Sequence, residues 1–216
     1  MNGYIALEGV NGVGKSTIIE ELKRRVNTFR EDQTPIHFTR EVGGCPEAEK
    51  IRDFLTSKKH LSPQGKEALI WTARTQLARF LERNHKGSTV VSDRCWVSTF
   101  VYNSTSLEST LERVEVLRRS YPTPDVYVLL DAPVEVIIKR QNERRKLTGR
   151  GSGVARVDTP FDKTEVDELS KAIGLYRGIF ETPPKSLPGK WVTVDTARGV
   201  EAVVEEIFNL IVTSAL

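Results

Sequence analysis

Short apolar runs, rich in β-branched residues, recur along this chain between longer segments in which apolar residues repeat with a helical period. The runs are Tyr4–Leu7, Ile36–Thr39, Thr89–Ser92, Val126–Leu130 and Trp191–Val194. They are too apolar to alternate between a buried and an exposed face, which predicts strands that are covered on both sides. We therefore expect an α/β fold in which a five-stranded parallel sheet is sandwiched between two layers of helices.

The segments between the runs predict the helices. One apolar stripe follows the first strand and another marks the last helix; they consist of Ile19, Leu22, Val26 and Phe29, and of Val200, Val203, Val204, Ile207 and Leu210. A helix that begins near Pro133 is interrupted by the glycine-rich run Gly149–Gly153, and another helix is expected from about Thr164 to Phe180. We expect residues 1–216 to form one domain, with a flexible basic loop at about residues 141–160.

The segment GVNGVGKS at residues 9–16 fits the phosphate-binding P-loop pattern G-x-x-x-x-G-K-[ST]. Its glycines let several backbone N–H groups converge on one phosphate, and the helix that follows adds its positive end. Lys15 is expected to reach the outer phosphates, and Ser16 to offer an oxygen ligand to Mg²⁺. The residues expected to bind ATP here are Gly9, Asn11, Gly12, Val13, Gly14, Lys15, Ser16 and Thr17.

The charge, the apolar runs and the cysteine and histidine content indicate which kinds of binding partner to exclude. A net charge of +3 is too small for a nucleic-acid footprint, and no run of about 18 apolar residues offers a membrane span. We expect a cytoplasmic protein that binds neither nucleic acid nor membrane. Cys45 and Cys95 lie far apart and the histidines form no ligand-spaced set, which predicts reduced thiols and no zinc site.

Charged side chains follow three of the predicted strands. Arg40 and Glu41 end the second strand, Asp93 and Arg94 the third, and Asp131 the fourth. The carboxyl ends of parallel strands meet at one edge of the sheet, where ligands bind, so these groups should converge beside the P-loop. Arginine can hold a phosphate through two parallel hydrogen bonds, and a carboxylate such as Asp93 can hold Mg²⁺ through water.

Together these motifs resemble the thymidylate kinase family, and the resemblance runs nearly from end to end of the chain. It rests on Thr39–Gly44, on Trp71–Gln76, on Asp93-Arg94-Cys95 followed by Ser98, Thr99 and Tyr102, and on Pro124-Asp125, Leu130-Asp131, Arg140 and Asp195–Ala197. The resemblance implies the P-loop NTPase fold, Mg²⁺ as cofactor and a homodimer. It also implies transfer of the γ-phosphoryl group of ATP to a pyrimidine deoxynucleoside monophosphate, most simply dTMP to dTDP.

For the acceptor, the resemblance implies specific roles. Arg40 and Arg94 would hold the monophosphate, Thr99 would lie beside the base, and Tyr102 would pack against the sugar where a 2′-hydroxyl would clash. Arg74 would donate a hydrogen bond to O4 of the pyrimidine. Because arginine can only donate, this contact favours thymine or uracil over cytosine, which carries an amino group there.

For the donor, the resemblance implies that Arg140 binds the ATP phosphates and that Ala197 contacts adenine. The P-loop lacks the arginine that one branch of the family places there, whereas the basic loop contains several. This is similar to the branch in which a mobile LID loop supplies the catalytic arginines, and Arg144 matches the spacing best, with Arg145, Arg150 and Arg156 as helpers. The expected catalytic residues are Lys15, Asp93, Arg94 and Arg144.

Four positions depart from the family pattern, and all of them belong to the acceptor pocket. Ile70 stands where the family stacks a phenylalanine on the base, and Asn11 where an acid binds the 3′-hydroxyl. Val42 replaces a proline, and Cys95 an aromatic residue or histidine. These changes predict a looser hold on the base and leave open another or modified base, such as a relative of dUMP.

Two other functions are compatible with a P-loop. A deoxynucleoside kinase needs a general base, for which Glu41 is placed, although the tryptophan usual soon after that glutamate is missing. A nucleotide-binding subunit without phosphoryl transfer would not need Lys15, Asp93 and Arg94 together. The sequence therefore favours a nucleoside monophosphate kinase.

Overall fold

Five parallel strands form the sheet in the computed structural model, which describes residues 1–28, 34–57, 60–103, 106–117, 120–148 and 163–214. The strands are β1 (Gly3–Glu8), β2 (Ile36–Arg40), β3 (Thr89–Asp93), β4 (Val126–Asp131) and β5 (Lys190–Asp195). Their order across the sheet is β2-β3-β1-β4-β5, and all neighbours are parallel. Each strand contains the run predicted for it and extends slightly further, so the predicted sheet is confirmed.

Only the three inner strands are covered as fully as the apolar pattern predicted. Every residue of β1 is buried, and β3 and β4 are buried except for the last residue of each. In β2 and β5, at the two edges of the sheet, most residues are half-buried or exposed. The prediction of burial on both faces was therefore wrong for the edge strands, which have a neighbouring strand on one side only.

Eight helices within the described residues flank the sheet. They are α1 (Lys15–Asn27), α2 (Pro46–Ser57), α3 (Pro63–Asn84), α4 (Val97–Tyr102), α5 (Leu107–Leu117), α6 (Val134–Thr148), α7 (Lys163–Glu181) and α8 (Val200–Ser214). The longest begins with Ser62, whose side chain accepts a hydrogen bond from the Gly65 N–H, and with Pro63 in the first turn. None of the helices described is both long and apolar enough to cross a membrane.

The predicted apolar stripes face the core. Leu22 of α1 and Ile207 of α8 are fully buried, and Ile19 and Val26 pack against the core from partly exposed positions. The two helices lie against each other on one face of the sheet. Phe29, the remaining member of the first stripe, lies outside the described residues.

The register of the sheet brings the charged strand ends together. Leu7 of β1 pairs with Asp93 of β3, which also pairs with Arg40 of β2. Glu8 therefore stands one residue beyond this row at the same edge. The P-loop leaves β1 at this edge, between the neighbouring strands β3 and β4. Ligands bind at the carboxyl ends of the strands in sheets of this kind.

Helix α6 enters the predicted basic loop and changes its limits. The helix continues to Thr148, so residues 141–148 are helical and do not belong to a loop. A helix of this length places Arg144 on the last turns of α6. The rest of the predicted LID, residues 149–160 with Arg150 and Arg156, lies within residues 149–162, which are outside the described part of the chain.

Candidate active site

The P-loop forms a tight turn between β1 and α1. Gly9, Gly12 and Gly14 have φ angles of 136°, 86° and 108°, which residues with a Cβ rarely adopt. A Cβ at Gly9 would lie 2.5 Å from the carbonyl oxygen of Leu130, so the first turn also needs glycine for space. The P-loop predicted from the sequence thus has the backbone conformation that its glycines suggest.

Lys15 closes the loop on itself. Its Nζ donates to the carbonyl oxygens of Gly9 at 2.7 Å and Val10 at 3.2 Å, and 7% of the residue is exposed. Burial, together with the charge of Arg94, lowers the pKa of Lys15 to about 7. Phosphate groups in front of the loop would supply the opposite charge and raise this pKa again, so the site favours an anionic ligand.

A cavity of about 640 Å³ opens in front of the P-loop. Most residues predicted to bind ATP or to act in catalysis line it: Asn11, Gly12, Val13, Gly14, Lys15, Ser16, Thr17, Asp93, Arg94, Arg140 and Arg144. Thr196 and Arg198 also line it, and the predicted adenine contact Ala197 stands between them in the sequence. The structure thus brings together side chains that come from four separate parts of the sequence.

Arg94 is held at the edge of this cavity by several acceptors. It is the one non-glycine residue with a positive φ, 78°, in the described ranges. Its guanidinium donates to Ser98 Oγ at 2.8 Å, to Tyr176 OH at 3.0 Å and to Asn11 Oδ1 at 3.0 Å. Burial alone would lower its pKa, but Tyr176, Tyr102 and Glu8 raise it above the usual value, so Arg94 stays charged.

Glu8, which the sequence analysis did not single out, stands behind Arg94. Its buried carboxylate accepts hydrogen bonds from Cys95 N at 2.7 Å, Ser98 Oγ at 2.8 Å and Tyr176 OH at 2.9 Å, and lies 3.9 Å from Arg94. An acid in an otherwise apolar strand, directly before the P-loop, was the signal available in the sequence. Tyr176 gave none, because it reaches the site from a helix 82 residues beyond Arg94.

Arg74 and Glu41 form a buried ion pair behind the acceptor side. Arg74 Nε donates to Glu41 Oε2 at 2.7 Å, and each side chain is 2% exposed. The guanidinium also donates to Thr99 Oγ1 and to the Cys95 carbonyl oxygen. Tyr4 OH donates to Glu41 at 2.6 Å, and Tyr121 OH does so at 3.0 Å.

This pairing bears on Glu41 as a general base. Burial raises the pKa of its carboxyl group, and Arg74, Tyr4 and Tyr121 counteract that shift. Three partners therefore occupy its oxygens inside the protein. A base that takes a proton from a substrate needs to reach that proton, so the arrangement does not favour the deoxynucleoside kinase alternative.

Arg40 ends β2 as predicted, but its side chain is turned to α2. Its Nε and NH2 donate to the two oxygens of Glu49 at 3.1 and 2.7 Å. Glu49 also accepts from the Gly44 N–H at 2.7 Å and so shapes the loop that follows β2. The peptide bond between Glu41 and Val42 in this loop is cis.

The other residues predicted to bind the acceptor lie near Arg74 and Arg94. Thr99 is buried under Arg74, and Ile70 lies half-buried one turn before Arg74 on α3. Tyr102 is 46% exposed and packs edge-on against Tyr176, with its ring 5.2 Å from the Arg94 guanidinium. It lines a neighbouring cavity of about 610 Å³ together with Asn11.

Ser16 and Asp93 are suited to a hydrated Mg²⁺. Asp93 Oδ1 is buried and has no hydrogen-bond partner among the described residues, and Ser16 lines the same cavity from the start of α1. Mg²⁺ in kinases keeps several waters and takes one or two protein ligands plus phosphate oxygens. One carboxylate and one hydroxyl beside a phosphate cradle match that requirement.

The chain resembles known proteins over nearly its whole length. A family model described as thymidylate kinase matches residues 7–207. Curated relatives include a thymidylate kinase of Acinetobacter baumannii (strain AYE), 29% identical over 210 residues that cover 94% of this chain and 96% of the relative. A thymidylate kinase of Neisseria gonorrhoeae (strain NCCP11945) is 29% identical over 206 residues, covering 93% and 91%. The matched range contains every site residue described above from Glu8 to Arg198.

Proposed function

Because the chain belongs to the thymidylate kinase family, we propose that it transfers the γ-phosphoryl group of ATP to dTMP and releases ADP and dTDP. The observation that carries this proposal is the shared cavity. The P-loop with Lys15 lines this cavity, and so does Arg94. Two phosphate-binding groups that face one space suit a reaction between two phosphorylated substrates.

The donor nucleotide fits the part of the cavity that extends from the P-loop to Thr196 and Arg198. The P-loop N–H groups and Lys15 would bind the β- and γ-phosphates. The nucleoside would then lie near Ala197, the residue after Thr196. Arg140 supports this region, since it donates to the carbonyl oxygens of Val13 at 3.1 Å and Thr196 at 2.7 Å.

The acceptor monophosphate would bind Arg94. Its guanidinium remains charged and is oriented by Ser98 and Tyr176, so it needs little rearrangement to receive a phosphate. Arg40 can join it by exchanging its exposed partner Glu49 for the phosphate, at small cost because exposed ion pairs are weak.

The base and sugar of the acceptor would lie beyond Arg94, next to Thr99, Ile70 and Tyr102. A guanidinium group has five N–H donors. Arg74 uses three of them in its hydrogen bonds to Glu41, Thr99 and the carbonyl of Cys95. The contact between Arg74 and O4 of thymine stays a prediction. It would be made at the edge of Arg74 that faces Thr99.

Mg²⁺ would bind Ser16 and, through water, Asp93, and when bound it would neutralise charge on the transferring phosphoryl group. The acceptor phosphate is already a nucleophile near neutral pH, so the chain's own residues mainly position and neutralise. Lys15 and Arg94 hold the two phosphates. Arg144, which lines the same cavity from α6, would meet the charge that develops during transfer.

We also propose that the enzyme acts as a homodimer in which residues 1–216 of each subunit form one kinase domain. The resemblance to the family supports this proposal. Size-exclusion chromatography with light scattering measures the mass directly. A mass near that of one chain at micromolar concentration would rule out a stable dimer.

The test of the activity is an ADP-release assay with dTMP, dUMP, dCMP, dGMP, dAMP and thymidine as acceptors. We expect the highest kcat/KM with dTMP and low values with both purine monophosphates. A preference for dCMP or dGMP would contradict the proposed role of Arg74. A preference for thymidine would favour a deoxynucleoside kinase instead.

A further inference from the structure

Two consecutive residues of α6 hold carbonyl groups of the P-loop. Arg140 NH1 donates to the carbonyl oxygen of Val13 at 3.1 Å, and Gln141 Nε2 donates to that of Asn11 at 2.6 Å. Thr196 Oγ1 also donates to Val13 at 2.8 Å. The proposed binding of ATP and dTMP does not account for the contact from Gln141 to Asn11.

These contacts determine the direction of two backbone N–H groups. In a trans peptide the C=O and the following N–H point in opposite directions. A carbonyl held at Asn11 therefore directs the Gly12 N–H the other way, and one held at Val13 does the same for Gly14. Gly12 lines the cavity proposed for the nucleotide, Gln141 lines the neighbouring cavity, and Asn11 lines both, so the Asn11–Gly12 peptide lies at the boundary between them.

The side chain of Gln141 is buried and packs closely against the backbone of the P-loop. Gln141 is only 6% exposed although it lies on a helix that flanks the sheet. A Cβ added to Gly12 would come within 2.4 Å of Gln141 Cγ and 3.1 Å of Gln141 Nε2. The side chain thus lies directly against the backbone that it would orient, which leaves the Asn11–Gly12 peptide little room to rotate.

Asn11 connects the same contact to the acceptor side. Its backbone carbonyl receives Gln141, while its side-chain oxygen receives Arg94 NH2 at 3.0 Å. Arg144 follows Gln141 by about one helical turn. Anchoring α6 at residue 141 therefore fixes Arg144 relative to the P-loop.

We propose that Gln141 is a positioning residue for the donor phosphates: by binding the Asn11 carbonyl, it turns the Gly12 N–H away from itself and presents it to a phosphate oxygen. The proposal rests on the proposed function only in that a nucleotide phosphate occupies the P-loop. It does not depend on the identity of the acceptor.

The deciding variants separate hydrogen bonding from packing. Gln141→Met keeps an unbranched side chain of the same length and removes the donor, whereas Gln141→Ala removes both. ADP binding is measured by isothermal titration calorimetry. We expect the Met variant to raise the Kd for ADP about tenfold, because an Asn11–Gly12 peptide that is no longer held must be ordered when ADP binds. The same variant should lower the melting temperature of the ligand-free protein by less than Gln141→Ala does, since it loses the hydrogen bond but keeps the packing. Gln64→Met, the same change at an exposed position of α3, is the control and should bind ADP like wild type.

A Kd for ADP within twofold of wild type in Gln141→Met would overturn the proposal and leave Gln141 a packing residue, especially if Gln141→Ala alone weakened binding.

A measurement on the unchanged protein covers the case in which a variant fails to fold. The Gly12 amide proton should shift downfield in NMR spectra on addition of ADP, and an unshifted signal contradicts the proposal. If Gln141→Met weakens ADP binding as expected but the wild type does not phosphorylate dTMP, the proposed function fails and the role of Gln141 stands.

Discussion

The two arginines proposed to contact the acceptor, Arg94 and Arg74, have opposite surroundings, and these surroundings decide what each side chain can do. Arg94 is 18% exposed and has neutral partners at short distance, with Glu8 3.9 Å away. Arg74 is 2% exposed and makes a direct ion pair with Glu41. The charge of Arg94 is therefore available to a phosphate, whereas most of the charge of Arg74 is neutralised inside the protein.

The Glu41–Arg74 pair should be essential for stability. Glu41→Gln leaves the buried Arg74 without a counter-charge, and we expect a loss of about 3–5 kcal/mol in the free energy of unfolding. Urea denaturation measures it. Glu49→Gln breaks the exposed pair with Arg40 and should cost about 1 kcal/mol or less. Equal effects of the two substitutions would contradict the structural role of Glu41, and lost turnover with full stability would favour Glu41 as a base.

Arg144 should act on the transition state more than on binding. Arg144→Ala is expected to lower kcat by roughly 10²–10³ and to leave the Kd for ADP nearly unchanged, because the charge that it meets develops only during transfer. Lys15→Ala should weaken ADP binding as well. Lys139→Ala, at an exposed position of the same helix, is the control. A normal kcat for Arg144→Ala would transfer the role to another basic residue near the end of α6.

At the scale of elements, the end of α3 lies against the edge strand β2 through stacked histidines. The ring of His37 in β2 lies 3.5 Å from that of His85, which caps α3, and Phe80 packs against His85. His37 Nε2 is buried without a hydrogen-bond partner among the described residues. Burial, together with His85, lowers the pKa of His37 below 6.5.

This stack should make the protein sensitive to acid. Because the pKa of His37 is lower in the folded state, the unfolded chain takes up the proton first. The stability from neutral His37 is present above pH 6.5 and is lost as the pH falls through the folded pKa. His37→Phe keeps a ring in the stack and should flatten the fall of Tm between about pH 7 and 5. The exposed His60→Phe is the control, and equal slopes in both variants would contradict the prediction.

The elements were predictable where the signal is local. All five strands follow from apolar runs, and the P-loop from its glycines and Lys15. The environment of Arg74 was not predictable, because the ion pair joins residues 33 positions apart and only the packed structure shows that both are buried. The contact of Gln141 with Asn11 spans 130 positions and has no sequence signature. Strands and the P-loop are encoded by neighbouring residues, whereas these two contacts depend on which elements the strand order brings together.

At the scale of the whole molecule, the sheet order places the P-loop and Arg94, the two proposed phosphate sites, in one cavity. The P-loop follows β1, and Arg94 follows the neighbouring β3, so their separation depends on adjacent strands. Asn11 bridges them, since it belongs to the loop and accepts from Arg94 at 3.0 Å. In the proposed reaction the sheet would thus set the spacing between donor and acceptor before either substrate binds, which would lower the entropic cost of bringing them together.

A ligand that joins both substrates should therefore bind more tightly than either one. In a compound with adenosine and thymidine linked through a 5′–5′ pentaphosphate, binding of the second half becomes intramolecular, and we expect a Kd at least about 100-fold below that of ADP. The corresponding compound with two adenosines is the control for the acceptor base and should gain much less. Calorimetry gives both constants, and the rise in Tm at equal ligand concentration provides a second measure. Equal affinity for the mixed compound and for ADP would mean that the two sites do not share one cavity. Equal affinity for the two linked compounds would mean that the residues around Thr99 and Ile70 do not select thymine.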